Sequence, residues 1–574
     1  MDQQYVNSIS QEERGAVKNK LKIITLSGTE SVTKNLTVYE YGEDIILVDC
    51  GVGFPDSDLY GVDVVIPDFT YILENSHRIR GLFVTHGHED HLGAIPFLLN
   101  QLDVPIYTSR LVQGFLKERL SDKNFKHLAE KTRFTLLEPG TGTIQAGVFK
   151  ITAFGVNHSV PNAMGFAIET PEGTVLHMAD YKIDWTPVLD KPIDLNSIAK
   201  YGQQGVLCLL SDCLNVLTEG YSKSESSLSN TFTDLFESNP GRQMFITTIS
   251  SNISRMSQIM TSALKHGRKV VLSGRSIEQS VKVARALGVI KFHDDLFIEE
   301  KEAGRFPQGD VVYIIAGCYG QPGSSLGRLS RGEHKEIVLE KDPIVIFSAD
   351  PNPPGVDVAV ERVMSAFTLF GAEVVYSRIQ DNLHVSGHGT KGDLMTIASV
   401  VKPKYFIPIG GTITRMRAYT NMLGELGVSK DRVFECLEGD TVEFSSGRAR
   451  KSGRLQTVPV YIDTAGSGST INPVVIKDRD QLSSDGVFVV VIPSKDGNLL
   501  KDNVEVVTRG FIYVKASQEL MDRSRKFVTK TLEKMSDKPL EWPAKKKRLE
   551  SEIQDFLFKE TRSSPLVIVH ALNV

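Results

Sequence analysis

The chain has 574 residues, of which 41% are hydrophobic and 24% charged, the make-up of an ordinary globular protein with material for several cores. Its length corresponds to about three or four domains. A formal net charge of −5 says nothing in favour of nucleic acid, and if the substrate is a polyanion the positive potential must be local.

Residues 1–20 are polar and of mixed charge, with no apolar h-region, and read as a flexible N-terminal arm without a secretory signal. From Leu21 to about 215 the pattern is one of short strands broken by turns, with helices between. Leu21–Leu26, Leu36–Tyr41 and Asp44–Asp49 alternate or run apolar as strands do. From about 216 to 360 the pattern becomes βαβ, with buried parallel strands at 243–248, 269–273, 311–315 and 344–347 and a helix from Ser254. Residues 361–450 return to an α/β pattern, and 451–475, rich in Gly, Ser and Thr, read as a linker. A separate α+β unit is expected over 476–574, with strands near 487, 504, 510 and 566 and charged helices near 517–534 and 543–560. The longest apolar runs, such as Val487–Ile492, are of strand length and too short to span a bilayer, so no membrane association is expected. Cys50, Cys208, Cys213, Cys318 and Cys436 show no paired spacing, which fits a reducing, cytoplasmic setting. Basic groups gather at Lys402, Lys404, Arg415 and Arg417, at Arg448, Arg450, Lys451 and Arg454, and at Lys545–Arg548. Each also reads as a solvated face.

The densest chemistry lies at 86–91, His-Gly-His-Glu-Asp-His. An apolar strand, Gly81–Thr85, precedes it and an apolar stretch, Leu92–Leu99, follows. Three imidazoles and two carboxylates in a turn at a strand end suit zinc or a similar divalent ion. Other pieces of such a site must come from other strand ends. Asp49 follows Ile45–Val48 and reads either as a carboxylate orienting a metal-binding His or as a turn cap. His158 follows Lys150–Phe154, and Asp180 follows Val175–Ala179. A carboxylate such as Asp180 can bridge two cations about 3.5–4 Å apart, an arrangement suited to phosphate ester hydrolysis. His177 alternates away from Asp180 and reads as structural.

The His86–His91 hexapeptide resembles the H-x-H-x-D-H motif of the metallo-β-lactamase superfamily, with Asp49, His158 and Asp180 in that family's order. The resemblance implies an αββα sandwich of two facing mixed sheets with helices outside. It implies one metal at His86, His88 and His158 and a second at Asp90 and His91, with Asp180 between them. Further motifs narrow the likeness. Leu209–Asp212 is similar to the first motif of the β-CASP nucleases, which insert a second α/β domain into the metal-binding one. Thr247–Arg255, His384-Val385-Ser386-Gly387-His388-Gly389 and Arg509–Val514 resemble segments of the ribonuclease J family. That resemblance covers the chain from about Leu21 onward. It implies a metallo-β-lactamase domain over 21–215 and 361–450, a β-CASP domain over 216–360, and a small C-terminal domain.

The resemblance further implies a ribonuclease with 5′→3′ exonuclease and endonuclease activity in mRNA decay and RNA maturation. Up to two Zn²⁺ per chain, or Mn²⁺ or Mg²⁺, would serve it. The implied substrate is single-stranded RNA with a 5′ monophosphate, and the implied assembly a homodimer or homotetramer. Asp90, Asp212 and His388 are its expected catalytic residues. Asp212 would hold a ligand His or the attacking water, and His388 would protonate the leaving oxygen or steady the transition-state charge. Ser250, Ser251, Asn252, His384, Ser386, Gly387 and His388 are expected around an RNA phosphate, the first three at a helix N-terminus.

The chain departs from the family pattern at two places. Pro408-Ile409-Gly410-Gly411-Thr412 stands where the family has Pro-[Ile/Val]-His-Gly-Glu, so Gly410 occupies the position of a ligand to the second metal. Ala316-Gly317-Cys318-Tyr319-Gly320-Gln321-Pro322 replaces a Thr-Gly-Ser-Gln-Gly-Glu-Pro-like run. Gly410 also admits a second reading, a weakly catalytic RNA-binding partner subunit of a heteromeric nuclease. A small-molecule hydrolase of the superfamily is opposed by the insert and the C-terminal unit.

Overall fold

The protein is described from a computed structural model covering residues 19–30, 32–55, 59–350, 356–463, 469–495, 498–500, 503–512, 517–536 and 541–574. Apart from Asn19 and Lys20, the expected N-terminal arm lies outside the described residues, as do Tyr513 and Val514. The chain forms two compact units, one of residues up to Phe54 with Val65–Pro459, the other of Pro55–Val64 with Val460–Val574.

In the first unit, apolar alternation builds two facing sheets. One has eight strands, including Leu21–Ser27, Leu36–Tyr41, Asp44–Val48 and Ile79–Phe83. The other has six, including Phe149–Gly155, Met164–Thr170, Gly173–His177, Val206–Asp212 and Tyr405–Ile409. Ile23, Tyr39, Ile46 and Phe83 of the first sheet share a core with Ile151, Phe166, Leu210 and Ile407 of the second. Helices Leu195–Gln204, Lys391–Val401 and Ile413–Glu425 pack on the other face of the six-stranded sheet. This is the expected αββα sandwich.

The inserted α/β layer is a five-stranded parallel sheet with apolar cores on both faces. It extends past the expected boundary at 360. Helix Asp357–Phe370 leads into a fifth strand, Glu373–Tyr376, which pairs in parallel with Ile344–Phe347. The expected linker at 451–475 is also corrected. Arg448–Arg454 is a strand paired to Asp440–Ser445, and Val460–Asp463 pairs with Ser469–Ile471. Charged residues suit an exposed edge strand, and that composition concealed Arg448–Arg454.

In the second unit, Val487–Lys495 pairs antiparallel with Glu505–Arg509 and parallel with Leu566–Asn573. Helices Gln518–Ser536 and Trp542–Thr561 cover one face through Val528, Leu532, Leu549, Ile553 and Leu557. A helix at Pro473–Asp485, capped by Asn472, was not expected. Among the described residues no helix is long and apolar enough to cross a membrane.

Candidate metal centre

The site forms where strands of the two facing sheets end together. Gly173–His177, Val206–Asp212 and Tyr405–Ile409 are parallel neighbours, with Asp212 opposite Ile409. Their ends therefore carry Asp180, Asp212 and Gly410 side by side. Asp44–Val48 and Ile79–Phe83 are likewise parallel, with Val48 opposite Phe83. This register sets Asp49 beside the turn that carries the histidines.

The ligand loop is held by backbone. Asn35 N–H donates to Asp90 O at 2.9 Å, Cys50 N–H to His91 O at 2.8 Å and Val52 N–H to Glu89 O at 3.0 Å. Gly51 lies so close that a Cβ there would fall 1.6 Å from Asp90 O. Asp49 adopts a left-handed conformation, φ 62°, rare for a residue with a side chain. Its carboxylate accepts Thr85 N–H at 2.8 Å and faces His91 Nδ1 at 2.8 Å. Of the two readings of Asp49, the hydrogen bond to His91 favours the orienting carboxylate.

His86, His88 and His158 bring ligand atoms within 4.8 Å of one another, as do His86, His91 and Asp180. His88 Nδ1 lies 3.0 Å from His158 Nε2, and His158 Nδ1 bonds the carbonyl of Gly387 at 2.7 Å. Asp180 Oδ2 lies 3.1 Å from His91 Nε2 and 3.9 Å from both His86 Nε2 and His158 Nε2. Asp90 Oδ2 stands 3.6 Å from His91 Nε2. His158, Asp180 and His388 form a third converging group.

The residues fit a divalent cation. His86 Nε2 is buried and has no hydrogen-bond partner among the described residues, although buried polar atoms are nearly always paired. Burial holds His86 and His158 well below the usual imidazole range and lowers His88 to about 3. These shifts favour the neutral imidazole, the form that binds a metal. His91 behaves oppositely. Burial opposes its charge, but Asp180, Asp90 and Asp49 overcome that and raise it well above the usual range. Burial raises Asp90 to about 6, against the pull of His91.

Asp212 is buried and takes His388 Nδ1 at 2.7 Å while also accepting Leu214 N–H at 2.8 Å. Despite burial, Asp212 and Asp180 raise His388 to about 9. Ser386 Oγ accepts His388 N–H at 3.1 Å and Asn215 Nδ2–H at 2.8 Å. A Cβ on Gly410 would lie 3.3 Å from Asp212 Oδ1 and 3.5 Å from Asp180 Oδ1, so position 410 faces both carboxylates. His177 Nδ1 bonds Tyr39 OH at 2.8 Å.

The Ser250–Asn252 segment ends the central strand of the inserted sheet. Ser250 Oγ meets Ser276 Oγ at 2.8 Å, and Asn252 caps helix Ile253–Lys265 through Arg255 N–H. Thr247 Oγ1, Thr248 Oγ1, Asn252 Nδ2 and Ser273 Oγ are buried there without hydrogen-bond partners among the described residues. Three contributors escaped the sequence reading. Asn35 Nδ2 lies 3.0 Å from His91 Nε2, Ser159 Oγ 3.1 Å from His88 Nε2, and Arg255 holds the 384–385 segment. The position of Arg255 inside the Thr247–Arg255 motif was the only available signal.

Comparison with known proteins places these features in a family. Family models match as Ribonuclease J, beta-CASP domain over 241–367, Ribonuclease J C-terminal domain over 474–574, Beta-lactamase superfamily domain over 45–195, and Zn-dependent metallo-hydrolase RNA specificity domain over 372–433. Ribonuclease J2 of Bacillus subtilis is 32% identical over 556 residues, covering 96% of this chain and 99% of that protein. The chain belongs to the ribonuclease J family. Ribonuclease J of Synechocystis is 34% identical, over 96% of this chain and 86% of that protein. A solved Enterococcus faecalis protein of unknown function shares the fold at a TM-score of 0.51 and 16% identity, covering 74% of this chain and all of its own.

The Asp49–His91 bond gives the first prediction. Asp49→Asn keeps the size but removes the charge that orients His91. It is expected to weaken divalent-metal binding by roughly 10–100-fold, measured by competition with a chromogenic chelator on folded protein. Unchanged affinity would show that Asp49 serves the turn alone.

Proposed function

We infer that this chain is a metal-dependent ribonuclease that hydrolyses RNA phosphodiesters, acting as a 5′→3′ exonuclease and an endonuclease in mRNA decay and RNA maturation. The observation that carries this is the convergence of His86, His88 and His158 beside Asp180, in a chain of the ribonuclease J family. The metallo-β-lactamase domain comprises 21–215 and the residues from about 377 to 450, after the last strand of the β-CASP insert, and the working form is a cytoplasmic homodimer or homotetramer.

His86, His88, His158 and Asp180 would hold one Zn²⁺, and Asp90, His91 and Asp180 would hold a second, weaker ion, with Mn²⁺ or Mg²⁺ as substitutes. Such an ion supplies Lewis acidity, polarising a phosphoryl oxygen and acidifying water. His388 keeps its Nδ1 proton on Asp212, which leaves Nε2–H free to donate to the leaving oxygen. Gly387 fixes the His158 ring through its carbonyl. The unpartnered hydroxyls and amide at 247–252 and 273, with the start of helix Ile253–Lys265, support a seat for an RNA phosphate. Gly410 favours the alternative of an RNA-binding, weakly catalytic subunit.

His88→Ala is expected to remain folded and to cleave RNA at no more than about a hundredth of the normal rate, since it removes a ligand and little packing. Near-normal turnover of a labelled RNA, with folding verified by circular dichroism, would refute the assignment.

The phosphate seat sets a second expectation. Exonuclease degradation of 5′-monophosphate RNA should exceed that of 5′-triphosphate RNA by about tenfold, because a seat of N–H and hydroxyl donors sized for one phosphate leaves the extra charges unpaired. Equal rates on the two substrates would count against it.

Gly410 sets a third. Mild chelation should remove the second metal before the first, with activity restored by adding divalent ion. Gly410→His should make the second metal harder to remove. The backbone there has φ +67°, so the substitution costs about 1–2 kcal/mol of stability. Two tightly retained metals in the unaltered chain would show that another donor replaces the missing His. No cleavage at any metal concentration would favour the partner-subunit reading.

A further inference from the structure

Arg255 is fully buried, in the first turn of helix Ile253–Lys265. Its guanidinium has five N–H donors, and each finds an acceptor. Nε and one terminal nitrogen grip Glu225, both at 2.9 Å. The remaining donors reach Ser348 O at 2.9 Å, Val385 O at 2.9 Å and His384 Nδ1 at 3.0 Å. Glu225 is itself buried and takes Gln258 Nε2–H at 3.4 Å.

One consequence is chemical. A guanidinium accepts no hydrogen bond. Where it faces an imidazole nitrogen, that nitrogen must offer its lone pair. The proton of a neutral His384 therefore sits on Nε2. Protonating Nδ1 would set one N–H against another in a buried contact. The charged groups facing His384 agree. Burial, then Arg255, then Lys182 push it well below the usual imidazole range. His384 is only partly buried, and its Nε2 has no partner among the described residues.

We propose that Arg255 is a positioning residue that locks His384 as a neutral Nε2–H donor to an RNA phosphate oxygen. The proposal rests on the ribonuclease reading. His384, gripped by Arg255, is a dipole. A neutral donor displaces no counterion, and its contribution does not grow in acid.

The test measures binding of a non-cleavable, phosphorothioate-linked single-stranded RNA with a 5′ monophosphate to the metal-loaded full chain. Fluorescence anisotropy is read at pH 6.0 and pH 8.5 and across a salt series. His384→Ala is expected to raise Kd about tenfold by the same factor at both pH values. Its slope of log K against log salt should match that of the unaltered chain. A loss that grows toward pH 6.0, or a slope shallower by about 0.7, would mean a cationic His384 and overturn the proposal. So would a loss below about twofold at both pH values.

Arg255→Lys keeps the charge but not the fork. Released from it, His384 should titrate, giving RNA binding that tightens from pH 8.5 to 6.0 relative to the unaltered chain. Binding by this variant with the pH profile of the unaltered chain would remove Arg255 from the role. If Arg255→Lys does not fold, the His384→Ala arms decide alone. Failure of the unaltered chain to bind RNA would instead refute the ribonuclease reading.

Discussion

The carboxylate of Asp49 is the contact around which the candidate metal centre is arranged. It joins the end of one strand to the turn after its parallel neighbour, taking the N–H of Thr85 and facing Nδ1 of His91. That placement requires a left-handed backbone at Asp49, φ 62°, and Ala179, just before Asp180, is left-handed too at φ 55°. Such conformations cost about 1–3 kcal/mol each and persist where the surroundings over-determine them. Here two sheets and the 88–91 turn do so. The strain turns Asp49 and Asp180 onto opposite nitrogens of His91.

A second frame of hydrogen bonds reaches the centre from the inserted sheet. Glu225, Arg255 and Ser348 O fix His384 and Val385. Three residues on, Gly387 O orients His158, and His388 meets Asp212. One short loop thus touches His158, a buried carboxylate and an arginine of the other layer. An ion pair as buried as Glu225–Arg255 adds little net stability but is costly to break from one side. Its role is to hold geometry, and that geometry ends at two imidazoles.

Much of this was legible in the sequence because the signals were local. Apolar runs ending in Asp49, His158, Asp180 and Asp212 fixed strands and their polar ends, and the hexapeptide at 86–91 fixed the chemistry. What escaped was long-range or compositionally disguised. Asn35 sits 56 positions from His91 and Arg255 sits 129 from His384, and no periodicity links them. The edge strand at 448–454 looks like loop, because an edge strand is better protected when charged. The fifth parallel strand, Glu373–Tyr376, is short and only partly buried, so it lacked the apolar run that marked its neighbours. At Gly410, sequence could register a missing ligand, but only the fold shows that the position faces both Asp180 and Asp212.

The interlocking of Gly51 with Asp90 has a consequence for ordering entropy. Fixing one residue's backbone costs about 1–2 kcal/mol, and a flexible donor loop would subtract that cost from metal affinity for each residue it had to order. Here Asn35, Cys50 and Val52 already hydrogen-bond the carbonyls of Asp90, His91 and Glu89, and the missing Cβ of residue 51 lets the two strands of chain touch. The ligand turn is a loop in name but is tied down as a strand is. A metal entering it meets donors whose backbone freedom was given up on folding, so discrimination between ions falls to their size and donor preference rather than to how well the loop can adapt.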